Sequence, residues 1–305
     1  MISIVIPCYN GEEYIEQCYK SLCTQSLMDW EAVFIDDGSK DGSSIALDNL
    51  VLRDNRVKVI HKQNEGVAVA REAGIKAASG SIITFLDIDD TLTPFALKSF
   101  ATNFGDKDTD IVCAGINIVS ENRQTLNCIK YNQAKITGAE AFSLMCRGRL
   151  RWQLCGKAYR RHLFHDVETP RGIRSGEDMA VCVQAVLKAR HIVVLPDCLY
   201  NYVQVSTSVT HAAAKAVAED ALRAAQFVNE RLSPHYGARI ATDINSLFML
   251  MASGALRSGI DSGNAMLRDA MHNHFSLKSI SGISLHKAIS LAMFRYLGLN
   301  LAKHL

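Results

Sequence analysis

The chain has 305 residues, of which 48% are hydrophobic and 21% charged, enough for one large or two modest cores. Thirty-three Lys and Arg against 31 Asp and Glu leave a formal net charge of +2, and no block of five or more basic residues occurs, so no nucleic-acid partner is expected. The nine cysteines are odd in number and lack C-x-x-C pairs, as expected for reduced thiols in a cytosolic protein. Met1 leads directly into an apolar strand without the basic start and cleavage site of a signal peptide, and no apolar run approaches the roughly 18 residues of a membrane span. The expected location is the cytoplasm, in solution or peripheral on the inner face of the membrane.

Residues 2–6 read as a buried strand. A turn, Pro7-Cys8-Tyr9-Asn10-Gly11, follows, and Tyr14, Cys18 and Leu22 then recur at helical spacing over 12–25. A second apolar run, 30–35, ends in Asp36-Asp37-Gly38-Ser39 and is followed by a helical pattern over 43–52. A short strand over 57–60 and an Ala-rich helix over 66–78 that carries Arg71 lead to the run 82–86. Strands alternating with helices at this spacing predict a parallel sheet covered on both faces.

The run 82–86 ends in Asp87, Asp89 and Asp90, three carboxylates within four positions. Like charges this close raise one another's pKa unless something positive sits among them. The carboxyl end of a strand is where open α/β sheets bind ligands, and clustered oxygens suit Mg²⁺ or Mn²⁺. Thr93-Pro94 reads as the N-cap and first residue of a helix. A strand is predicted over 110–118, and Thr137 with Glu140 reads as a capping box for a helix ending at Cys146. A polar stretch over 147–175 meets Gly176-Glu177-Asp178 at the start of an apolar helix over 179–189. Short strands are predicted over 192–195 and 198–203, then a polar loop over 206–211. Beyond Ala212 the chain reads as helices over 212–232, 238–257, 262–273 and 284–303, so a domain boundary is placed near His211.

Four strand-end motifs, Pro7-Cys8-Tyr9-Asn10, Asp36-Asp37-Gly38-Ser39, Asn64-Glu65-Gly66 with Arg71, and Asp87-Ile88-Asp89-Asp90, together resemble the nucleotide-sugar-binding domain of family-2 glycosyltransferases. The resemblance covers about residues 1–210. It implies the GT-A fold, a Rossmann-like mixed α/β sheet flanked by helices, here followed by an α-helical C-terminal region over 212–305. It also implies an inverting transfer of a sugar from a UDP-sugar donor to a hydroxyl of a glycan or lipid-linked saccharide acceptor, as in bacterial capsule, O-antigen or lipopolysaccharide synthesis.

By the same resemblance, Pro7, Tyr9, Asp37, Asn64, Arg71, Asp87 and Ile88 would line the donor site. Tyr9 would stack on uracil, Asp37 would accept a hydrogen bond from its imide, and Arg71 would offer its donor fork to the nucleotide or its phosphates. Asp87 and Asp89 form the family's Asp-x-Asp motif, with Asp89 holding Mn²⁺ or Mg²⁺ and His211 a further metal or diphosphate contact. Ile88 departs from the small residue more usual between the two acids. Glu177-Asp178 resembles the family's Glu-Asp motif, with Asp178 as general base and Glu177 orienting the acceptor. Trp152 would offer an apolar face to an acceptor sugar. A strongly apolar stretch over 288–301 beside Arg295 and Lys303 could lie on an anionic membrane surface or mediate self-association.

Two other readings start from the same residues. The run 85–92 also resembles the first motif of haloacid-dehalogenase-type phosphatases, with Asp87 as nucleophile and Asp89 as acid/base. That motif belongs on the first strand of its core, whereas several strand–helix units precede it here. A non-catalytic nucleotide-sugar-binding subunit is the third alternative, opposed by the presence of both the acidic turn and Asp178.

Overall fold

Seven consecutive buried residues, Ile2–Cys8, form β1, the run expected of a strand covered on both faces. The computed structural model describes residues 1–204 and 214–297. By contacts these fall into two units. One comprises Met1–Gly138, Gln153–Arg171 and Lys188–Ser206, and the other the described residues of Ala139–Trp152, Gly172–Leu187 and Thr207–Leu305. The position expected for a boundary, His211, lies outside the described residues.

In the first unit β1 is followed by α1 (Glu12–Cys23), β2 (Trp30–Asp36), α2 (Ser43–Arg53), β3 (Val57–His61), α3 (Val67–Ala77) and β4 (Ile82–Phe85). Next come β5 (Thr91–Leu92), α4 (Ala96–Asn103), β6 (Thr109–Ser120), β7 (Thr125–Ile129), β8 (Ala134–Thr137), β9 (Lys157–Arg160) and β10 (His191–Gln204). The sheet order is β3-β2-β1-β4-β9-β6-β10-β5, with β7 added on β6 and β8 on β10. Strands β1 to β4 pair in parallel, whereas β9 runs antiparallel between β4 and β6. The sheet is therefore mixed.

Three local expectations are corrected. Helix α4 begins at Ala96, with Phe95 before it, and Thr93 does not cap it. The reason is strand pairing: Thr91 and Leu92 pair with β10, and the Thr93 N–H and hydroxyl both reach Leu199 O, at 3.1 and 3.3 Å, so Thr93 is held to β10 and the helix starts only after a turn at Pro94 and Phe95. The two strands expected over 192–203 are one strand, β10, carried through Pro196 by register shifts between Val194 and Tyr200. Strands β7 and β8 were not expected, because their residues are mostly exposed and show no buried apolar run.

The second unit contains α5 (Gly138–Cys146) and α6 (Glu177–Lys188), of which Gly138 and Lys188 count with the first unit. It continues with α7 (Ala214–Tyr236), α8 (Ala241–Arg257), α9 (Ala265–Asn273), α10 (Leu277–Ile280) and α11 (Leu285–Leu297). Helix α8 is its centre, in contact with α7, α9, α10 and α11. Ile244, Leu247, Met249, Ala252, Ala255 and Leu256 are almost completely buried on it, and each large apolar side chain so buried stabilises by about 1.5–3 kcal/mol. Asn264 caps α9 through Leu267 N–H at 3.0 Å, and Ser276 with Ser279 forms a reciprocal cap on α10.

Candidate active site

The carboxyl ends of β1, β2 and β4 form one edge of the sheet. Register sets Cys8 opposite Asp36 and Val5 opposite Phe85, so Asp87, two residues past Phe85, leaves β4 level with Pro7. Pro7 is buried within β1. Val5 O accepts from Leu86 N–H at 3.1 Å, and Pro7, of the same parity, faces that side where β4 has already ended. Its missing N–H therefore costs no ladder bond.

The loops after β1 and β2 are tied together by side chains. Asn10 N–H donates to Ser39 Oγ at 3.0 Å, Lys40 N–H to Asn10 Oδ1 at 2.7 Å, Gly11 N–H to Ser43 Oγ at 3.0 Å and Gly42 N–H to Glu12 Oε2 at 2.9 Å. These bonds hold Tyr9 with its side chain half exposed, at 50%. The adjacent acids have separate tasks. Asp36 is buried and accepts from Ser39 N–H at 2.9 Å, Ser44 Oγ at 2.5 Å and His61 Nδ1 at 2.9 Å. Burial pushes its carboxyl up, but the bonds from Ser39, Ser44 and His61 outweigh it and bring the pKa down to about 2.

Asp37 organises the loop after β3. Its Oδ1 accepts from Lys62 Nζ at 2.8 Å and Glu65 N–H at 3.1 Å, and its Oδ2 from Gly66 N–H at 2.8 Å. A carboxylate has about four acceptor sites, which leaves room for one more donor. Gly38, at φ +76°, is required here, because a Cβ would lie 2.8 Å from Asn64 N. Asn64 itself is exposed.

The three acids after β4 are divided by their surroundings. Asp87 Oδ1 accepts from Arg71 Nη2 at 2.7 Å and Oδ2 from Cys155 Sγ at 3.3 Å. Arg71, 5% exposed on α3, thus spends one nitrogen on holding the acidic turn. Asp90 turns inward at 1% exposure and accepts from Tyr200 Oη at 2.5 Å and Val203 N–H at 2.7 Å. Burial, then Asp87 and Asp89, push the Asp90 carboxyl well above the usual range. The same Tyr200 hydroxyl accepts from Asp87 N–H at 3.2 Å, so one side chain of β10 fixes both ends of the turn. Ile88 packs against the first loop, where a Cβ on Gly11 would stand 3.1 Å from Ile88 Cγ2.

Asp89 is half-buried and is not spent on these bonds. Burial and the neighbouring Asp87 raise its pKa, and its own backbone and the charge of Arg123 oppose that rise. Among the described residues no three His, Cys, Asp or Glu side chains close into a metal cage. The donor set nevertheless fits Mn²⁺ or Mg²⁺, since such ions take one or two carboxylates and complete their shell with phosphate oxygens and water. His211, expected beside the metal, lies outside the described residues.

Glu177 and Asp178 open α6 in the second unit, where acids are favoured by the helix N-terminus. Gly176, at φ +88°, precedes them, and a Cβ there would lie 2.9 Å from Ala224 Cβ of α7. Asp220 of α7 accepts from Arg174 N–H at 3.0 Å and Arg223 Nη1 at 2.9 Å, which holds the segment before α6 against that helix. Trp152 is half-buried in the same unit. Of the residues that build these sites, Tyr200, Cys155, Asp220 and Arg123 carry no local sequence signal; each lies far in sequence from the motif it serves.

Residues 3–165 match the family model described as Glycosyl transferase family 2. EpsJ of Bacillus subtilis, described as an uncharacterized glycosyltransferase, is 30% identical over 78% of this chain and 71% of its own length. TuaG of the same organism, named for teichuronic acid biosynthesis, is 25% identical over 69% of this chain and 81% of its own. Among solved structures, TarS of S. aureus in complex with UDP-GlcNAc has a TM-score of 0.64 at 20% identity and covers 97% of this chain and 92% of its own. The mannosyltransferase PcManGT of Pyrobaculum calidifontis, in complex with GDP-Man and Mn²⁺, has a TM-score of 0.59 at 16% identity, covering 97% and 80%. At these identities the likeness to the solved structures is one of fold.

Proposed function

The chain belongs to glycosyl transferase family 2 and has the GT-A fold, and we propose that it transfers a sugar from a UDP-sugar to a hydroxyl of a bacterial surface glycan with inversion. The observation that carries the donor side is the acidic turn after β4: Asp90 is withdrawn, Asp87 is held by Arg71, and Asp89 remains at the sheet edge that also presents Tyr9 and Asp37. The phosphatase alternative is set aside by family membership and by the position of this turn on the fourth strand of the chain.

In this proposal the Tyr9 ring stacks on the uracil and Asp37 accepts a hydrogen bond from its imide N–H with the acceptor capacity left over from the loop. Asn64 lies at the rim of the base site. Asp87, held by Arg71, faces the ribose. Asp89 would hold Mn²⁺ or Mg²⁺, a Lewis acid that stabilises the departing diphosphate when bound. Asp178 removes the proton of the acceptor hydroxyl as its oxygen attacks the anomeric carbon, Glu177 orients that hydroxyl, and Trp152 offers an apolar face to the acceptor sugar. One displacement with one base reverses the anomeric configuration. Support for a nucleotide-sugar donor comes from TarS with UDP-GlcNAc and PcManGT with GDP-Man and Mn²⁺, and for a surface-glycan acceptor from the name of TuaG.

The test is a panel of UDP-hexoses and UDP-N-acetylhexosamines offered with glycan acceptors, run with Asp178→Asn alongside. Loss of a general base costs about 10²- to 10⁴-fold in rate, with UDP binding unchanged. Undiminished transfer by Asp178→Asn, or a product that keeps the donor's anomeric configuration, contradicts the mechanism.

We further propose that the acceptor is met at an anionic membrane surface. No helix among the described residues is long and apolar enough to cross a membrane. On α11, however, Leu285, Ile289 and Tyr296 are 75%, 46% and 72% exposed at near-helical spacing, beside the exposed Arg295. Flotation with anionic vesicles should fall sharply for Leu285→Ser with Tyr296→Ser; equal flotation of native and variant chains would remove this proposal.

A further inference from the structure

Arg123 stands at the tip of the β6–β7 hairpin under two separate costs. Ser120 N–H donates to Gln124 O at 2.9 Å and Arg123 N–H to Ser120 O at 2.8 Å, which defines a three-residue turn. Its last residue is in the left-handed region, with Arg123 at φ +62°. Such a turn favours glycine at that place, and a side chain there is strained. Two nitrogens of its guanidinium, Nε and Nη1, are also buried and have no hydrogen-bond partner among the described residues. A buried donor left unmade is expensive, more so on a charged group. Register sets this hairpin beside the acidic turn: Val119, near the end of β6, pairs with Val203 of β10, whose N–H donates to Asp90 Oδ1 at 2.7 Å.

Among the described residues no hydrogen bond to Nε or Nη1 offsets these costs. An anion beside Asp89 would do so, since a guanidinium presents its N–H groups as a planar fork that matches phosphate oxygens. We propose that Arg123 is a donor-binding residue whose unpaired Nε and Nη1 take the diphosphate oxygens of the nucleotide-sugar. This rests on the nucleotide-sugar reading of the acidic turn. It adds a residue outside the four strand-end motifs and gives the β6–β7 hairpin a task in recognising the leaving group.

The experiment is calorimetric titration of UDP with Mg²⁺, and ligand-observed NMR titration of uridine, on native protein, Arg123→Gly and Arg123→Lys. Glycine suits the turn, so Arg123→Gly should melt at or above the native temperature and keep the hairpin. Loss of hydrogen bonds to a charged group should weaken UDP binding about 10- to 100-fold, with uridine affinity unchanged and Arg123→Lys intermediate. UDP binding by Arg123→Gly within twofold of native would overturn the inference while leaving the donor site standing. Equal weakening of UDP and uridine would show a purely structural hairpin role and overturn it as well. If the native chain bound neither UDP nor GDP, the donor reading itself would fail, and this inference with it.

Discussion

The carboxyl edge of the β1–β4 sheet and the helices around α8 are held together by different physics. At the sheet edge, side chains bond backbone groups of neighbouring loops: Ser39 and Ser43 fasten the first loop, and Asp37 gathers the third. Around α8 the stabilisation comes from apolar burial, with Leu247, Met249, Ala252 and Leu256 essentially without exposure. The polar edge fixes positions of a few atoms, as a ligand site requires, whereas the apolar centre sets stability and tolerates variation in which side chains fill it. Substitutions in the two regions should therefore fail differently.

The largest stability effect is expected from Leu256→Ala, about 2–5 kcal/mol for a buried leucine, with UDP affinity retained by whatever fraction stays folded. Tyr200→Phe should cost less, about 1–3 kcal/mol, because it takes the hydroxyl away from the buried Asp90 Oδ2 and from the Asp87 N–H, while Val203 N–H still serves Asp90 Oδ1. Yet it should weaken UDP binding measurably, since it loosens both ends of the acidic turn. Thermal unfolding and calorimetry on both variants separate the cases, and equal loss of UDP affinity in the two would dissolve the contrast.

The smallest effect is a pH dependence. Hydrogen bonds to Asp36 and Asp48, at 2.9 and 3.0 Å, raise the pKa of His61 above 6.5. A pKa raised on folding means that the folded state binds the proton more tightly. The contribution is complete below about pH 6.5 and is lost as pH rises through the higher folded value. His61→Gln should flatten the stability profile on that alkaline side. A native profile without this slope would show that His61 adds nothing to the loop.

Much of the sheet edge was legible in the sequence because buried parallel strands read as apolar runs and their ends as abrupt polar motifs. The run over 82–86 and the acids after it are the plainest case. The partners of those acids were not legible. Tyr200 lies 110 residues from Asp90, and nothing near Asp90 marks it as the inward-turning member of the triplet. Helix α4 was placed two residues early because Thr93-Pro94 carries the local signature of a helix start, and pairing of Thr91 and Leu92 with β10 overrides it. Strands β7 and β8 were missed because exposed edge strands need no apolar run. Asp178 was found as a motif, but the glycine and Asp220 contacts that set α6 against α7 belong to packing that no local pattern encodes.

The central claim is that Asp89 is the acid that would hold the donor's metal, while Asp87 is held by Arg71 toward the ribose and Asp90 is committed to the protein. Calorimetric titration of UDP with Mn²⁺ and with chelator, on native protein and Asp89→Ala, tests it most directly. The account expects metal-dependent binding to the native chain that Asp89→Ala abolishes without lowering the melting temperature. Binding that survives Asp89→Ala unchanged, or that ignores the chelator, would contradict it.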